Sequence, residues 1–222
     1  MSAQPAETED VLIEKTLWLT GWARRHRHMV TLGALAVGAL VLAAVYYVNF
    51  RSQHLEQAAV QLERVRQNIV VGDTAVATVE LSQYLQAFGD TPYADEASLI
   101  LGELYMSTGR ATEAVETLGP RADPSEPLGL QALVLLAQAR EQQGDLDEAE
   151  RLLLQVADGA ELDFFIHSAL ADAARIRQAR GDPAGAADLY NRLLDDMDDE
   201  APTRALYEMR LQEAETRAGA SA

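Results

Sequence analysis

The chain has 222 residues, no cysteine, and 35 acidic against 18 basic residues, giving a formal net charge of -17. The missing cysteines exclude disulfides, thiolate metal sites and cysteine nucleophiles. The charge is uneven: residues 1–50 balance four acids (Glu7, Glu9, Asp10, Glu14) with four bases (Lys15, Arg24, Arg25, Arg27), leaving 31 acids against 14 bases in residues 51–222. Such a surface opposes phosphate backbones and anionic headgroups, so nucleic acid is not expected as a partner and neutral or basic polypeptides are. Abundant Ala, Leu, Glu, Gln and Arg, few aromatic residues and no sustained period-two alternation predict an all-α protein.

Residues 1–8 are small and polar and are expected to be disordered. Residues 9–22, EDVLIEKTLWLTGW, place Val11, Trp18 and Trp22 near one helical face, suited to a short helix in a headgroup region. Residues 29–50, MVTLGALAVGALVLAAVYYVNF, carry no charge, and 22 residues of helix extend roughly 33 Å against a hydrocarbon core of about 30 Å. Tyr46, Tyr47 and Phe50 mark one end of this run, and Trp18 and Trp22 precede the other, as interfacial aromatic residues do. Arg24, Arg25 and Arg27 crowd the N-terminal flank with His26 and His28, and the positive-inside bias puts that flank in the cytoplasm. A cleaved signal peptide has a shorter apolar region and a small-residue exit. The exit here, YYVNFRSQH, is bulky, so a retained single-pass anchor is expected. Ala34 with Gly38 and Ala39 with Ala43 form small-xxx-small pairs through which a second membrane helix could approach.

Self-similarity begins soon after the apolar run. Residues 101–118, LGELYMSTGRATEAVETL, place Gly109, Ala114 and Leu118 at fixed offsets; residues 136–153 repeat them as Gly144, Ala149 and Leu153; residues 173–190 repeat them as Gly181, Ala186 and Tyr190. A weaker unit over 55–92 carries Gly72, Ala77 and Leu81, with Arg64 and Val65 where the second unit has Leu101 and Gly102. The offsets and the spacing of 35 to 37 residues resemble the tetratricopeptide repeat, a helical hairpin of about 34 residues. Each glycine is expected to reverse the chain at positive φ, and each alanine to let the second helix pack closely on the first. Asp182 and Pro183 suit a helix start.

The fold expected is therefore one N-terminal transmembrane helix followed by a tetratricopeptide-like α-solenoid. The segments are a stub over 1–28, a span over 29–50 and a repeat domain over 51–222. Repeats are placed at about 55–92, 95–128, 130–163 and 167–200. A capping helix over 201–218 should turn Leu206, Met209, Leu211 and Ala214 onto the stack.

No arrangement of residues suggests an enzyme, a small-molecule substrate, a cofactor or a metal site. His26, His28, His54 and His167 are scattered, and the run Asp195, Asp196, Asp198, Asp199, Glu200 lacks the central glycine and spaced ligands of a calcium loop. In tetratricopeptide arrays the first helix of each pair lines the concave face. Carrying those positions over gives a protein-binding groove of Glu96, Leu99, Glu103 and Met106, then Gln131, Val134, Gln138 and Glu141, then Ser168, Ala171, Arg175 and Gln178. This mixed lining suits weak binding of extended chains.

The layout of basic Trp-containing stub, single span and closely following degenerate repeats resembles the YfgM-like family of ancillary SecYEG translocon subunits. The closest local matches are the stub, YADEASLILGELYMSTGRATEAVETL (93–118) and ALYEMRLQEAE (205–215). The resemblance implies a bacterial inner-membrane protein with its C-terminal domain in the periplasm, beside SecYEG, assisting secreted or outer-membrane client chains with periplasmic chaperones. The repeats alone also resemble those of envelope scaffolds that coordinate cell division or outer-membrane assembly, which is the alternative function.

Overall fold

The computed structural model describes residues 26–221. Residues 1–8, the helix expected over 9–22, and Trp18, Trp22, Arg24 and Arg25 lie outside the described residues. The described residues are helical, with no strand, and fall into two compact units that divide between Glu56 and Gln57. The boundary lies within the first helix, α1 (Arg27–Val71).

In the first unit, α1 presents Leu32, Leu35, Leu40 and Leu42 to the outside, and none of its most apolar stretch is buried. By length and composition this helix could cross a membrane. The rings of Tyr46, Phe50 and His54 stack in sequence, with centroids 6.3 and 6.4 Å apart.

The second unit is a row of helical hairpins. The end of α1 turns at Gly72 into α2 (Thr74–Phe88), with the Asn68 amide donating to Glu80 at 2.8 Å; α3 (Tyr93–Ser107) pairs with α4 (Ala111–Leu118), α5 (Pro127–Gln142) with α6 (Leu146–Gly159), and α7 (Asp163–Ala179) with α8 (Pro183–Asp196). A 3₁₀ turn, Gly119–Arg121, follows α4, and α9 (Arg204–Ser221) packs on α8.

Local chemistry explains the hairpins. Among the described residues only Gly72, Gly109, Gly144 and Gly181 have positive φ, from 74° to 93°, one at each hairpin turn. The residue after the glycine closes the first helix in three of the turns: the N–H groups of Arg110, Asp145 and Asp182 donate to the carbonyls of Tyr105, Arg140 and Arg177 at 2.8, 3.0 and 2.9 Å. Asp145 and Asp182 also open the second helix, accepting with a carboxylate oxygen from Glu148 N–H and Gly185 N–H, and Asp73 does the same for Val76 N–H. Arg110 cannot cap. Its guanidinium instead lies over the Tyr105 ring, 4.5 Å from the centroid, and bonds Glu113.

Close contact follows. Ala77, Ala114, Ala149 and Ala186, each five residues past the turn glycine, are completely buried, and Leu81, Leu118, Leu153 and Tyr190 are buried one turn further on. At Gly102 the two helices of a hairpin approach closely: a Cβ there would meet the Leu118 side chain at 2.8 Å. The first hairpin holds Val65 at the equivalent position, buried.

Arginines tie one hairpin to the next. Arg66 pairs with Glu96, Arg192 with Asp158 at 2.6 Å, and Arg175 makes a two-pronged contact with Glu141 at 2.5 and 2.9 Å, while Arg121 pairs with Asp95 of its own hairpin at 2.9 Å. Glu150, only 7% exposed, receives Arg177 and Arg180, both at 2.6 Å, and Arg180 also reaches Asp147. The two-pronged Arg175 bond holds the Glu141 carboxyl below the usual carboxylate range.

The last helix corrects one expectation. The inner face of α9 is the buried Ala214 with the half-buried Tyr207 and Leu211, whereas Leu206 and Met209 are exposed. Two residues separate Met209 from Leu211, about 200° around a helix, so the two cannot share a face. The helix also begins at Arg204, after a turn closed by Ala201 N–H on the Asp198 carbonyl at 3.0 Å. Arg204 donates to the carbonyls of Leu194 and Met197, fastening α9 to the end of α8.

Two predictions follow from this packing. Gly102→Ala and Ala149→Leu should each destabilise the folded chain by about 1 to 3 kcal/mol in urea denaturation, because each overfills a closed helix contact; unchanged midpoints would show that the contacts relax freely. Glu150→Ala should cost about 1 to 3 kcal/mol, since two charged hydrogen bonds are lost at a buried position. Glu141→Gln, half-exposed and screened, should cost less than about 1 kcal/mol. The Glu141 contribution is present above the unfolded carboxylate pKa of about 4.3 and is lost as pH falls through its lower folded value, so the difference between wild type and Glu141→Gln should shrink in acid.

Candidate protein-interaction surface

The twelve groove residues expected from the repeat register fall on α3, α5 and α7, the first helices of successive hairpins. Their surroundings differ. Glu103, Gln131, Gln138 and Arg175 are exposed; Glu96, Met106, Val134, Glu141, Ser168, Ala171 and Gln178 are half-buried. Leu99 is 7% exposed and belongs to the core, so it is not available to a ligand.

Several of the polar members are occupied within the protein. Glu96 is paired with Arg66 of α1, and Glu141 with Arg175, which joins α5 to α7. Arg175 also reaches Asp172 of its own helix at 3.4 Å. The Ser168 hydroxyl donates to the Phe165 carbonyl at 3.2 Å. Gln178 Nε2 is buried with no hydrogen-bond partner. The apolar members Met106, Val134 and Ala171 pack against the edge of the core with part of their surface open. The row therefore presents shallow apolar patches between engaged ion pairs.

Sequence spacing alone did not disclose the pairs between hairpins. A signal was present: Arg66 and Glu96 are 30 residues apart, Glu141 and Arg175 are 34 apart, and Asp158 and Arg192 are 34 apart, each close to one repeat length. His167 opens no helix but stands one turn into α7, with Nε2 3.2 Å from Asp196. Among the described residues no group of three or more His, Asp or Glu side chains is arranged to hold a metal ion.

Known proteins share this architecture. Among solved structures, the putative kinesin light chain tetratricopeptide-like repeats of Podosopora anserina superpose with a TM-score of 0.58 at 23% identity, covering 73% of this chain and 87% of that one. MamA gives a TM-score of 0.60 at 17% identity, covering 74% and 84%. A tetratricopeptide repeat protein from Parabacteroides merdae gives 0.59 at 14% identity, covering 74% and 61%. At these identities the likeness shows the fold. No curated protein sequence matches the chain significantly. The repeat fold is typical of protein-interaction scaffolds that carry no catalysis, and its repeats imply binding to other proteins. The family described as tetratricopeptide repeat-like domain matches residues 20–216, nearly the whole length, and the chain belongs to that family.

Proposed function

We propose that this protein is a single-pass, membrane-anchored interaction subunit whose repeat domain handles client polypeptides on the far side of the membrane. The observation that carries the reading is α1: one helix, Arg27–Val71, begins with an uncharged run of exposed apolar side chains and ends as the first helix of the repeat array. Exposed leucines along some 20 residues are costly in water and favourable in hydrocarbon. With Arg24, Arg25 and Arg27 before the run, the stub lies in the cytoplasm and residues 51–222 lie in the periplasm of a bacterial cell. The YfgM-like layout supports SecYEG as the membrane partner, and secreted or outer-membrane chains as clients shared with periplasmic chaperones.

The division of labour follows from the same arrangement. The anchor supplies location, and the row of Met106, Val134 and their neighbours supplies contact. A binding surface held beside the site where chains emerge works at a high effective concentration, so weak intrinsic affinity is sufficient. The 31 acids of residues 51–222 speed the approach of basic unfolded segments, an effect that salt screens.

Protease added outside spheroplasts should digest residues beyond about 51 and spare the stub; protection of the C-terminal domain would overturn the orientation. Met106→Ser with Val134→Ser should reduce crosslinks to client chains while copurification with SecYEG persists. Replacing residues 1–50 by an unrelated membrane anchor should abolish copurification. If the paired serine substitutions released the membrane partner and left client crosslinks intact, the roles assigned to row and anchor would be wrong.

A further inference from the structure

The two kinds of helix start in this array are built differently. Three of the four second helices open on capping aspartates, Asp73, Asp145 and Asp182, and the fourth on Arg110. The first helices α3, α5 and α7 open on Pro92, Glu126 and Leu162, and none of these side chains caps its helix. Leucine is among the least favourable residues at such a position.

Leu162 is nevertheless 65% exposed, and Phe164, the second residue of α7, is 75% exposed. Phe164 meets Phe165 edge to face at 5.7 Å, and it is Phe165 that packs on the core. The fold thus has no internal use for the Leu162 and Phe164 side chains. In the preceding hairpin Leu128, also the second residue of its helix, is 37% exposed, and Tyr93, the first residue of α3, is 37% exposed. Tyr93 and Leu128 each stand 16 residues before their turn glycine and Phe164 stands 17 before its own. These side chains therefore recur along one edge of the array, where neighbouring helices pack about 8 to 10 Å apart.

The charge beside them has one sign. Glu126, Glu161 and Asp163 are exposed and make no ion pair among the described residues, and Asp123 is held ionised below its ordinary range by the Ser125 hydroxyl and N–H. No basic residue occurs from 122 to 139 or from 152 to 166. The basic side chains nearest in sequence are engaged elsewhere: Arg121 with Asp95 and the Gly89 carbonyl, Arg140 with Gln143, Arg151 with Glu148, and His167 with Asp196.

We infer that the edge formed by the starts of α5 and α7, with Leu128, Leu162 and Phe164 set among Glu126, Glu161 and Asp163, is a docking surface for a polypeptide segment that carries apolar side chains beside Lys or Arg. Charge complementarity selects this occupant. Anionic headgroups and phosphates are repelled by the same carboxylates, and an uncharged apolar segment leaves them unmatched. None of the twelve groove residues belongs to the edge. The inference rests on the protein-interaction reading above and adds a second contact surface to it.

The test uses the full chain in nanodiscs of zwitterionic lipid and a fluorescein-labelled peptide of about a dozen alternating leucine and lysine residues, followed by anisotropy, with empty nanodiscs as the blank. Leu162→Ser with Phe164→Ser, both exposed, should weaken binding about ten-fold or more while the helical circular dichroism is kept and the urea midpoint does not fall, since serine suits the helix start better than leucine. Glu126→Gln with Glu161→Gln and Asp163→Asn should flatten the salt dependence. Leu206→Ser with Met209→Ser, exposed on α9 and outside both surfaces, should leave peptide affinity within about two-fold. If Met106→Ser with Val134→Ser weakened binding and the edge pair did not, the edge would be overturned and the interaction reading would stand. If the peptide bound no better than to empty nanodiscs, the edge and the preference for basic clients would both fall. Phe164-dependent flotation of the protein with zwitterionic vesicles added in trans would show a lipid occupant and likewise overturn the inference.

Discussion

At Gly72, Gly109, Gly144 and Gly181 the backbone must take a left-handed turn that a side chain resists, and the geometry of every hairpin starts there. The turn leaves only a short connection between helices, so the next residue has to finish one helix and begin another. Aspartate meets both demands at positions 145 and 182, through its N–H and its carboxylate respectively. Because the turn is so short, the paired helices are forced close together, and closeness is tolerable only where side chains are small. The completely buried alanines at 77, 114, 149 and 186, and Gly102 against Leu118, are consequences of the turn.

Hairpins made this way still have to be held in register with one another, and apolar packing alone is tolerant of sliding. Arginine supplies the register. Every basic residue after Lys15 is arginine, and in the repeat domain most are committed to carboxylates of the same or a neighbouring hairpin. A planar guanidinium fixes direction as well as distance, which an ammonium does not. The commitment has an electrostatic consequence: bases are consumed in pairs inside the array, and the surplus of acids is left facing outward.

The features legible in sequence were those dictated by the local backbone. A turn glycine, an aspartate cap and a buried alanine each depend on residues within a few positions, so the offsets alone located the hairpins. Features that depend on how helices rotate about their axes were not legible. Leu99 and Met106 sit on the same helix at groove positions of the register, yet Leu99 is buried in the core and Met106 only half-buried. Leu206 and Met209 sit five and two residues from Leu211, and a fraction of a turn sends them to solvent. The Glu141–Arg175 contact requires two hairpins to be stacked before it exists at all, although its 34-residue spacing carries the repeat length. Exposed Phe164 was hidden by its neighbour: of the two adjacent phenylalanines, only packing decides that Phe165 turns inward.

The two candidate surfaces differ in what a basic chain must displace. In the row of first helices, Glu141 and Glu96 are already satisfied by Arg175 and Arg66, so a lysine arriving there must exchange with an existing partner and gains only the difference between two similar bonds. At the starts of α5 and α7, Glu126, Glu161 and Asp163 have no ion-pair partner among the described residues to exchange, and the adjoining Leu162 and Phe164 lose water when covered. Long-range attraction and the first burial of apolar area therefore both favour the edge. The row, with shallow contacts at Met106 and Val134, then suits the part of a chain that follows, held by proximity more than by charge. On the proposed reading, a client engaged in that order would meet decreasing electrostatic pull as it moves across the array. Such a gradient lets a membrane-held scaffold catch basic segments quickly and still let them go.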